Sequence, residues 1–258
     1  MSVASNYDFT GKVVAITGGS RGLGHAMALG FAAAGANLAI ASRKLDSCEA
    51  AVKEIRTLGR DASAHAVHVG KWADCDRLYE EVYARWKRCD VLINNVGLSP
   101  LYPSLVKHTE ELFDKVIGVN LKGPFRLSAL FGSRMAMGDG GVIINVSSIN
   151  GIRPSSTTAP YSAAKAGLNA LTVAFANEYG PKVRVNCIMA GPFHTDISKG
   201  WSRTEEFTRR ARQNYACGRA GEPDEIVAAA LYFASPGASF TTGAILTVDG
   251  GQSNPRVA

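Results

Sequence analysis

The chain has 258 residues, 46% of them hydrophobic and 19% charged, which is enough for one α/β domain with a substantial core. Its net charge of +6 is small and scattered, and no basic stretch is interleaved with aromatic residues as in nucleic-acid-binding surfaces. Five cysteines without a CxxC pair argue against a disulfide framework or a metal site. With no apolar signal core at the start and no uninterrupted apolar span, we expect a cytoplasmic protein that does not enter a membrane.

Seven apolar segments of strand length alternate with helical patterns along the chain. The predicted strands are Lys12–Gly18, Asn37–Ser42, Ala64–Gly70, Val91–Gly97, Gly141–Ser148, Val183–Gly191 and Ala244–Gly250. Such near-continuous apolar strands are typical of a parallel sheet that is buried on both faces. The alternation predicts right-handed βαβ units, and therefore a doubly wound α/β domain with helices on both faces of the sheet.

Apolar residues at helical spacing predict helices over Leu45–Leu58 and Asp74–Trp86, and Pro223 suits the first position of a later helix. The basic stretch Thr208–Arg212 is interpreted as a solvated helix face. The polar stretch from 194 to 221 separates two predicted strands. We expect it to form a substrate lid within a single domain that spans residues 1–258.

The segment TGGSRGLG, Thr17 to Gly24, follows the first predicted strand and begins a helix. Its glycines permit a tight turn and a close approach of the backbone to a pyrophosphate. The free N–H groups and the positive dipole end of the helix would then face that anion. An ordinary βα turn is the alternative, but the position after the first strand favours a dinucleotide site.

The segment SSINGIRPSSTTAPYSAAK places a hydroxyl, a phenol and an amine in order, as Ser148, Tyr161 and Lys165. Residues four apart on a helix share a face, so Lys165 can lie beside Tyr161. A phenol with a pKa near 10 is a poor base at neutral pH, and a neighbouring ammonium lowers that pKa. We therefore expect Tyr161 to act as a general acid/base with a lowered pKa.

Five motifs, in this order, resemble the short-chain dehydrogenase/reductase family. They are the TGxxxGxG turn, NNVG at Asn94–Gly97, VNLKG with Asn120, Ser148 followed by Tyr161 and Lys165 as YxxxK, and the last strand TGAILTVDGG. The resemblance covers Gly11 to about Gly251 and includes the 3-oxoacyl-thioester reductases. It implies a Rossmann-type fold and hydride transfer between a nicotinamide and a carbonyl or secondary alcohol.

The resemblance also implies roles for individual residues. The catalytic set is Asn120, Ser148, Tyr161 and Lys165, with Lys165 also holding the nicotinamide ribose and Asn120 ordering a relay water. The implied cofactor contacts are Gly18, Ser20, Arg21, Leu23, Ser42, Arg43, Asn95, Gly97, Tyr161, Lys165, Gly191 and Thr195. Family members are usually tetramers, so we expect a homotetramer.

The end of the second strand indicates which cofactor is preferred. A carboxylate there would bind the adenosine 2′-hydroxyl of NAD, but the sequence has Ala41, Ser42 and Arg43. Arg43 and Arg21 could instead bind a 2′-phosphate, so NADP(H) is preferred and NAD(H) stays possible. Val69 and Gly70 stand where the family usually has an aspartate and an apolar residue at the adenine.

The substrate, a small-molecule carbonyl or alcohol, is predicted to bind near Ser148, Tyr161 and Phe193. The expected pocket is completed by Leu98, Ser99, Tyr102, Ile149, Asn150, His194 and Trp201. These residues are mainly apolar, which favours a neutral or amphipathic carbonyl compound, and His194 is expected to be an exposed loop residue. An NAD-dependent secondary-alcohol dehydrogenase and a non-catalytic dinucleotide sensor remain as alternatives.

Overall fold

Seven strands pair in parallel, in the order β3-β2-β1-β4-β5-β6-β7, in the computed structural model, which describes residues 7–253. The strands are β1 (Val13–Thr17), β2 (Asn37–Ser42), β3 (Ala62–Ala66), β4 (Val91–Asn94), β5 (Gly141–Ser148), β6 (Val183–Ala190) and β7 (Ile245–Val248). Because the order reverses between β1 and β4, a crevice lies at their carboxyl ends. The doubly wound parallel sheet predicted from the sequence is confirmed.

Eight α-helices connect and flank these strands within the described part of the chain. They are α1 (Gly22–Ala33), α2 (Leu45–Thr57), α3 (Trp72–Trp86), α4 (Glu110–Ile117), α5 (Gly123–Met137), α6 (Ala159–Tyr179), α7 (Glu205–Asn214) and α8 (Val227–Ala234). A π-helical turn, Gly118–Lys122, joins α4 to α5. Pro223 begins a 3₁₀ turn that leads into α8. None of the helices in residues 7–253 is long and apolar enough to cross a lipid bilayer.

The two faces of the sheet carry separate cores. On one face α1, α2 and α8 bury residues such as Phe31 and Phe233 against alternate strand positions. On the other face α3, α5 and α6 bury residues such as Leu78 and Phe131. This double burial explains why the strands are apolar at nearly every position.

The predicted boundaries of β3 are wrong. The strand runs from Ala62 to Ala66 rather than from Ala64 to Gly70, because its partner β2 ends at Ser42, opposite Ala66. The chain then leaves the sheet, although Val67 and Val69 stay buried in the second core. The apolar pattern therefore reported burial correctly and strand pairing incorrectly.

The segment between β6 and Gly221 has a small hydrophobic cluster of its own. Phe207 and Ala211 of α7 pack with Tyr215 and Ala220. The arginines of α7 face solvent, as expected for a solvated helix face.

Candidate active site

The glycine turn between β1 and α1 is closely packed. Gly18 and Gly22 have positive φ angles of 68° and 55°, a conformation that glycine adopts without strain. A Cβ atom at Gly24 would lie 2.2 Å from the carbonyl oxygen of Gly18, so no larger residue fits there. The side chain of Arg21 does not cap α1. The first N–H groups of α1 therefore remain available to an anion.

Asn95 ties the end of β4 to the glycine turn. Its Nδ2 donates to the carbonyl oxygens of Thr17 at 3.2 Å and Gly18 at 3.3 Å. Its backbone N–H donates to Thr17 Oγ1 at 3.1 Å. Asn95 is thus a structural support of the predicted cofactor site, and Thr17, which the sequence analysis did not single out, is its partner.

Two hydroxyl groups meet at the end of β2, and each is followed directly in the sequence by an arginine. Ser20 Oγ and Ser42 Oγ are hydrogen-bonded at 3.0 Å, and Ser42 Oγ lies 3.0 Å from Cys48 Sγ. Arg21 and Arg43 are exposed, and neither is ion-paired with a carboxylate of residues 7–253. Both cations are therefore free to bind a phosphate.

Ser148, Tyr161 and Lys165 meet at the carboxyl edge of the sheet. Ser148 is the last residue of β5, and its hydroxyl lies near enough to Tyr161 to oppose the rise of the phenol pKa on burial. Lys165 Nζ lies 5.7 Å from the centroid of the Tyr161 ring and donates to the carbonyl oxygen of Val146 at 2.8 Å. Lys165 is only 3% exposed. The geometry predicted from the helical spacing is present.

The pKa values of this group differ from the sequence prediction. Burial raises the pKa of Tyr161 above its ordinary value, and the hydrogen bond with Ser148 opposes that rise. Burial also lowers the pKa of Lys165 to about 8. The sequence predicted a lowered pKa for Tyr161. In the protein without ligands this prediction is wrong, because desolvation of the phenolate is the dominant effect.

Asn120 lies in the π-helical turn and is fully buried. Its Nδ2 donates to the carbonyl oxygens of Leu98 at 2.8 Å and Val116 at 2.9 Å, and its Oδ1 accepts from the N–H of Leu98 at 3.1 Å. A Cβ at Gly97 would lie 3.6 Å from Asn120 Oδ1 and 3.9 Å from Lys165 Nζ. Gly97 therefore occupies the space between Asn120 and the lysine.

The loop after β6 reaches back to the glycine turn. Gly191 donates its N–H to Val248, and a Cβ there would lie 2.5 Å from the Cβ of Asp249. Thr195 lies so close to Gly22 that a Cβ at Gly22 would be 3.4 Å from the Cβ of Thr195. The fold thus brings Thr195 to the predicted cofactor site.

Two of the residues expected in the substrate pocket lie elsewhere. Phe193 is 6% exposed and packs in the first core, where its ring blocks any Cβ at Gly221. His194 was expected to be exposed, but its side chain is 15% exposed, and Nδ1 lies 3.1 Å from Ser202 Oγ. The structure therefore does not support Phe193 as a substrate contact. The prediction that His194 is an exposed loop residue is wrong.

Tyr102, another expected pocket residue, connects the loop after β4 to α6. Its hydroxyl accepts from the N–H of Ala159 at 2.8 Å and donates to the carbonyl oxygen of Ser156 at 2.6 Å. The helix that carries Tyr161 is thereby held at its first residue. No local sequence pattern announces this contact, because the partners are 57 residues apart.

A family profile described as enoyl-(acyl carrier protein) reductase matches residues 18–253. The 3-oxoacyl-[acyl-carrier-protein] reductase of Chlamydia trachomatis is 36% identical over 94% of this chain and 97% of its own length. The chain belongs to the short-chain dehydrogenase/reductase family. Members of this family are NAD(P)-dependent oxidoreductases, so this chain is one as well. The observed Rossmann-type fold is the fold of this family.

Two solved structures of this family carry bound molecules. A 7α-hydroxysteroid dehydrogenase in complex with NADH and 7-oxo glycochenodeoxycholic acid has a TM-score of 0.92 and 31% identity, over 97% of this chain and 98% of that one. A gluconate 5-dehydrogenase from Beutenbergia cavernae with bound NADP has a TM-score of 0.90 and 29% identity, over 96% and 98%. Structures similar to this chain therefore contain either NADH or NADP.

Proposed function

We propose that this short-chain dehydrogenase/reductase is an NADP(H)-dependent enzyme that interconverts a carbonyl and a secondary alcohol, with Tyr161 as general acid/base. The observation that carries the proposal is the placement of Tyr161 beside Ser148 and a buried Lys165, at the crevice edge of the sheet. In an open α/β sheet, ligands bind at this edge.

The residues around the glycine turn fit a dinucleotide with a 2′-phosphate. Gly24 leaves no room for a side chain, and the uncapped start of α1 offers N–H groups to a pyrophosphate. Arg21 and Arg43 supply cations where NAD-binding members have a carboxylate. An NAD-dependent secondary-alcohol dehydrogenase remains the second candidate.

When bound, the nicotinamide supplies a hydride to the carbonyl carbon or takes one up from the alcohol. Ser148 donates a hydrogen bond to the carbonyl oxygen and orients it towards Tyr161. Because burial keeps the Tyr161 phenol protonated at neutral pH, the residue is prepared to donate its proton to the developing alkoxide.

Exposed apolar side chains follow the carboxyl ends of three neighbouring strands. They are Leu101 after β4, Ile152 after β5, and Ile197 and Trp201 after β6. These side chains support a neutral or amphipathic carbonyl substrate, with segment 194–221 as its lid. The homotetramer and the cytoplasmic location stay predictions.

The test of the chemistry is NADPH and NADH consumption with a panel of apolar ketones, steroids, sugars and 3-oxoacyl thioesters. Tyr161→Phe should lower turnover by at least about 10²-fold, because it removes the proton donor. Tyr7→Phe, at an exposed tyrosine outside the site, is the matched control. Full turnover by Tyr161→Phe would contradict the mechanism, and NADPH binding without turnover on any compound would favour the sensor alternative.

The test of cofactor preference is binding of both cofactors to Arg21→Ala and Arg43→Ala. A lost charge-assisted hydrogen bond costs about 1.5–3 kcal/mol, so NADPH should bind at least about tenfold more weakly while NADH is unaffected. The control is Arg60→Ala. Arg60 precedes the amino end of β3 and therefore lies at the opposite edge of the sheet. Equal affinity for both cofactors and no effect of Arg43→Ala would favour the NAD-dependent alternative.

A further inference from the structure

Three side chains outside the proposed reductase site form a hydrogen-bonded chain. Ser63 Oγ lies 2.6 Å from His65 Nε2, and His65 Nδ1 lies 2.6 Å from Glu81 Oε2. His65 is 7% exposed, whereas Ser63 is half-buried and Glu81 is exposed. A hydroxyl, an imidazole and a carboxylate in this order are the signature of an activated nucleophile.

The fold explains how the three residues meet. Ser63 and His65 are two residues apart on β3, so their side chains share one face of the strand. They stand opposite Ala39 and Ala41 of β2, whose small side chains belong to the core beneath α3. Glu81 comes from α3, which covers this face.

Each member has a defined role. With the hydrogen on Nδ1, His65 donates to the Glu81 carboxylate and leaves Nε2 as the acceptor for the Ser63 hydroxyl. The second oxygen of Glu81 lies 3.6 Å from Arg77 Nε, in an exposed ion pair. His65 is therefore held in the tautomer that removes a proton from serine.

We propose that Ser63 is a nucleophilic serine that accepts acyl groups from small activated esters, as a second reactive site of this protein. In the sheet order, β2, β1 and β4 separate β3 from β5, which carries Ser148. β3 is an edge strand and Ser63 is half-buried, which is why the proposal is restricted to small esters.

The step balances without a further reactant. Ser63 Oγ forms a bond to the acyl carbon, and the bond from that carbon to the leaving oxygen breaks. The hydroxyl proton passes to His65 Nε2 and then to the leaving alkoxide or phenoxide. Water, deprotonated by the same imidazole, attacks the acyl carbon; the bond from that carbon to Ser63 Oγ breaks, Oγ takes the proton back from His65 Nε2, and the carboxylic acid is released.

The experiment uses the full-length chain with 4-nitrophenyl acetate. It measures nitrophenolate release, the mass gain of the intact protein, and the acetylated residue by peptide mapping. We expect acetylation at Ser63 in the wild type and none at this position in Ser63→Ala, which lacks the nucleophile. In Glu81→Gln, acetylation of Ser63 should be at least about 10²-fold slower, because general-base assistance is lost. Ser239→Ala, at an exposed serine outside the chain of three, is the control and should react like the wild type.

Glu81→Gln separates a reactive role from a structural one. The amide keeps the shape of the side chain and an acceptor for Nδ1–H, so thermal unfolding of the variant should stay close to that of the wild type. A reactive serine then loses acetylation in a folded protein. Acetylation confined to other residues, or a Ser63 that reacts equally fast in the wild type and in folded Glu81→Gln, would overturn the proposal.

Discussion

Lys165 is a buried cation, and its replacement should stabilise the protein at neutral pH. Burial lowers its pKa from 10.5 to about 8, and at about 1.4 kcal/mol per pH unit the buried charge costs about 3 kcal/mol of folding free energy. Methionine has a similar length and no charge. The hydrogen bond from Nζ to Val146 is lost, at a cost of about 1 kcal/mol. Lys165→Met should therefore raise the free energy of unfolding by about 2 kcal/mol at pH 7.

The sign of this effect should change with pH. Below pH 8 both folded and unfolded chains carry the proton on Lys165, and the full cost of burial is present. Between about 8 and 10.5 only the unfolded chain keeps the proton, so the stability of the wild type rises with pH. Near pH 11 both states are neutral, and only the lost hydrogen bond remains. Lys165→Met should then be about 1 kcal/mol less stable than the wild type.

Urea unfolding of both proteins at pH 7, 9 and 11 measures the difference directly. Lys53→Met, at an exposed lysine, is the control and should show no such reversal. A variant that is less stable than the wild type at pH 7, or a difference that is independent of pH, would refute the reasoning from burial. Loss of carbonyl reduction in a more stable variant would show that the buried lysine is retained for activity at the expense of stability.

Three further predictions concern single contacts of the site. Gly24→Ala places a Cβ 2.2 Å from the carbonyl oxygen of Gly18, so we expect about 1–3 kcal/mol of destabilisation. NADPH, measured by titration, should bind at least about tenfold more weakly. Wild-type affinity would show that NADPH does not bind at this turn. Tyr102→Phe removes two hydrogen bonds at the start of α6 and should lower the free energy of unfolding in urea by about 1–2 kcal/mol. An unchanged urea midpoint would show that Tyr102 does not stabilise the start of this helix. Asn120→Ala leaves one buried and two partly buried backbone groups without their partner and should cost about 2–4 kcal/mol in the same assay. A loss under about 0.5 kcal/mol would mean that water replaces the amide.

Local patterns in the sequence determined the fold class and predicted the main members of the proposed site. Alternating apolar strands and amphipathic helices predicted the doubly wound sheet, because burial on both faces leaves its mark on every strand residue. The spacing of Tyr161 and Lys165 fixed their shared helix face, since helical geometry is local. The glycine turn was readable for the same reason, because its conformation depends on the residues within it.

Tertiary structure alone decided what depends on residues that are far apart in sequence. The end of β3 followed from the length of its partner strand. Phe193 is buried because its ring packs against Gly221, and His194 is largely buried beside Ser202. The pKa of Tyr161 rose because burial, which a helical spacing cannot report, outweighed the opposing effect of the Ser148 hydroxyl. Glu81 met His65 only because α3 folds over the sheet edge. Periodicity shows that a residue is buried, but only the folded chain shows what it is buried against.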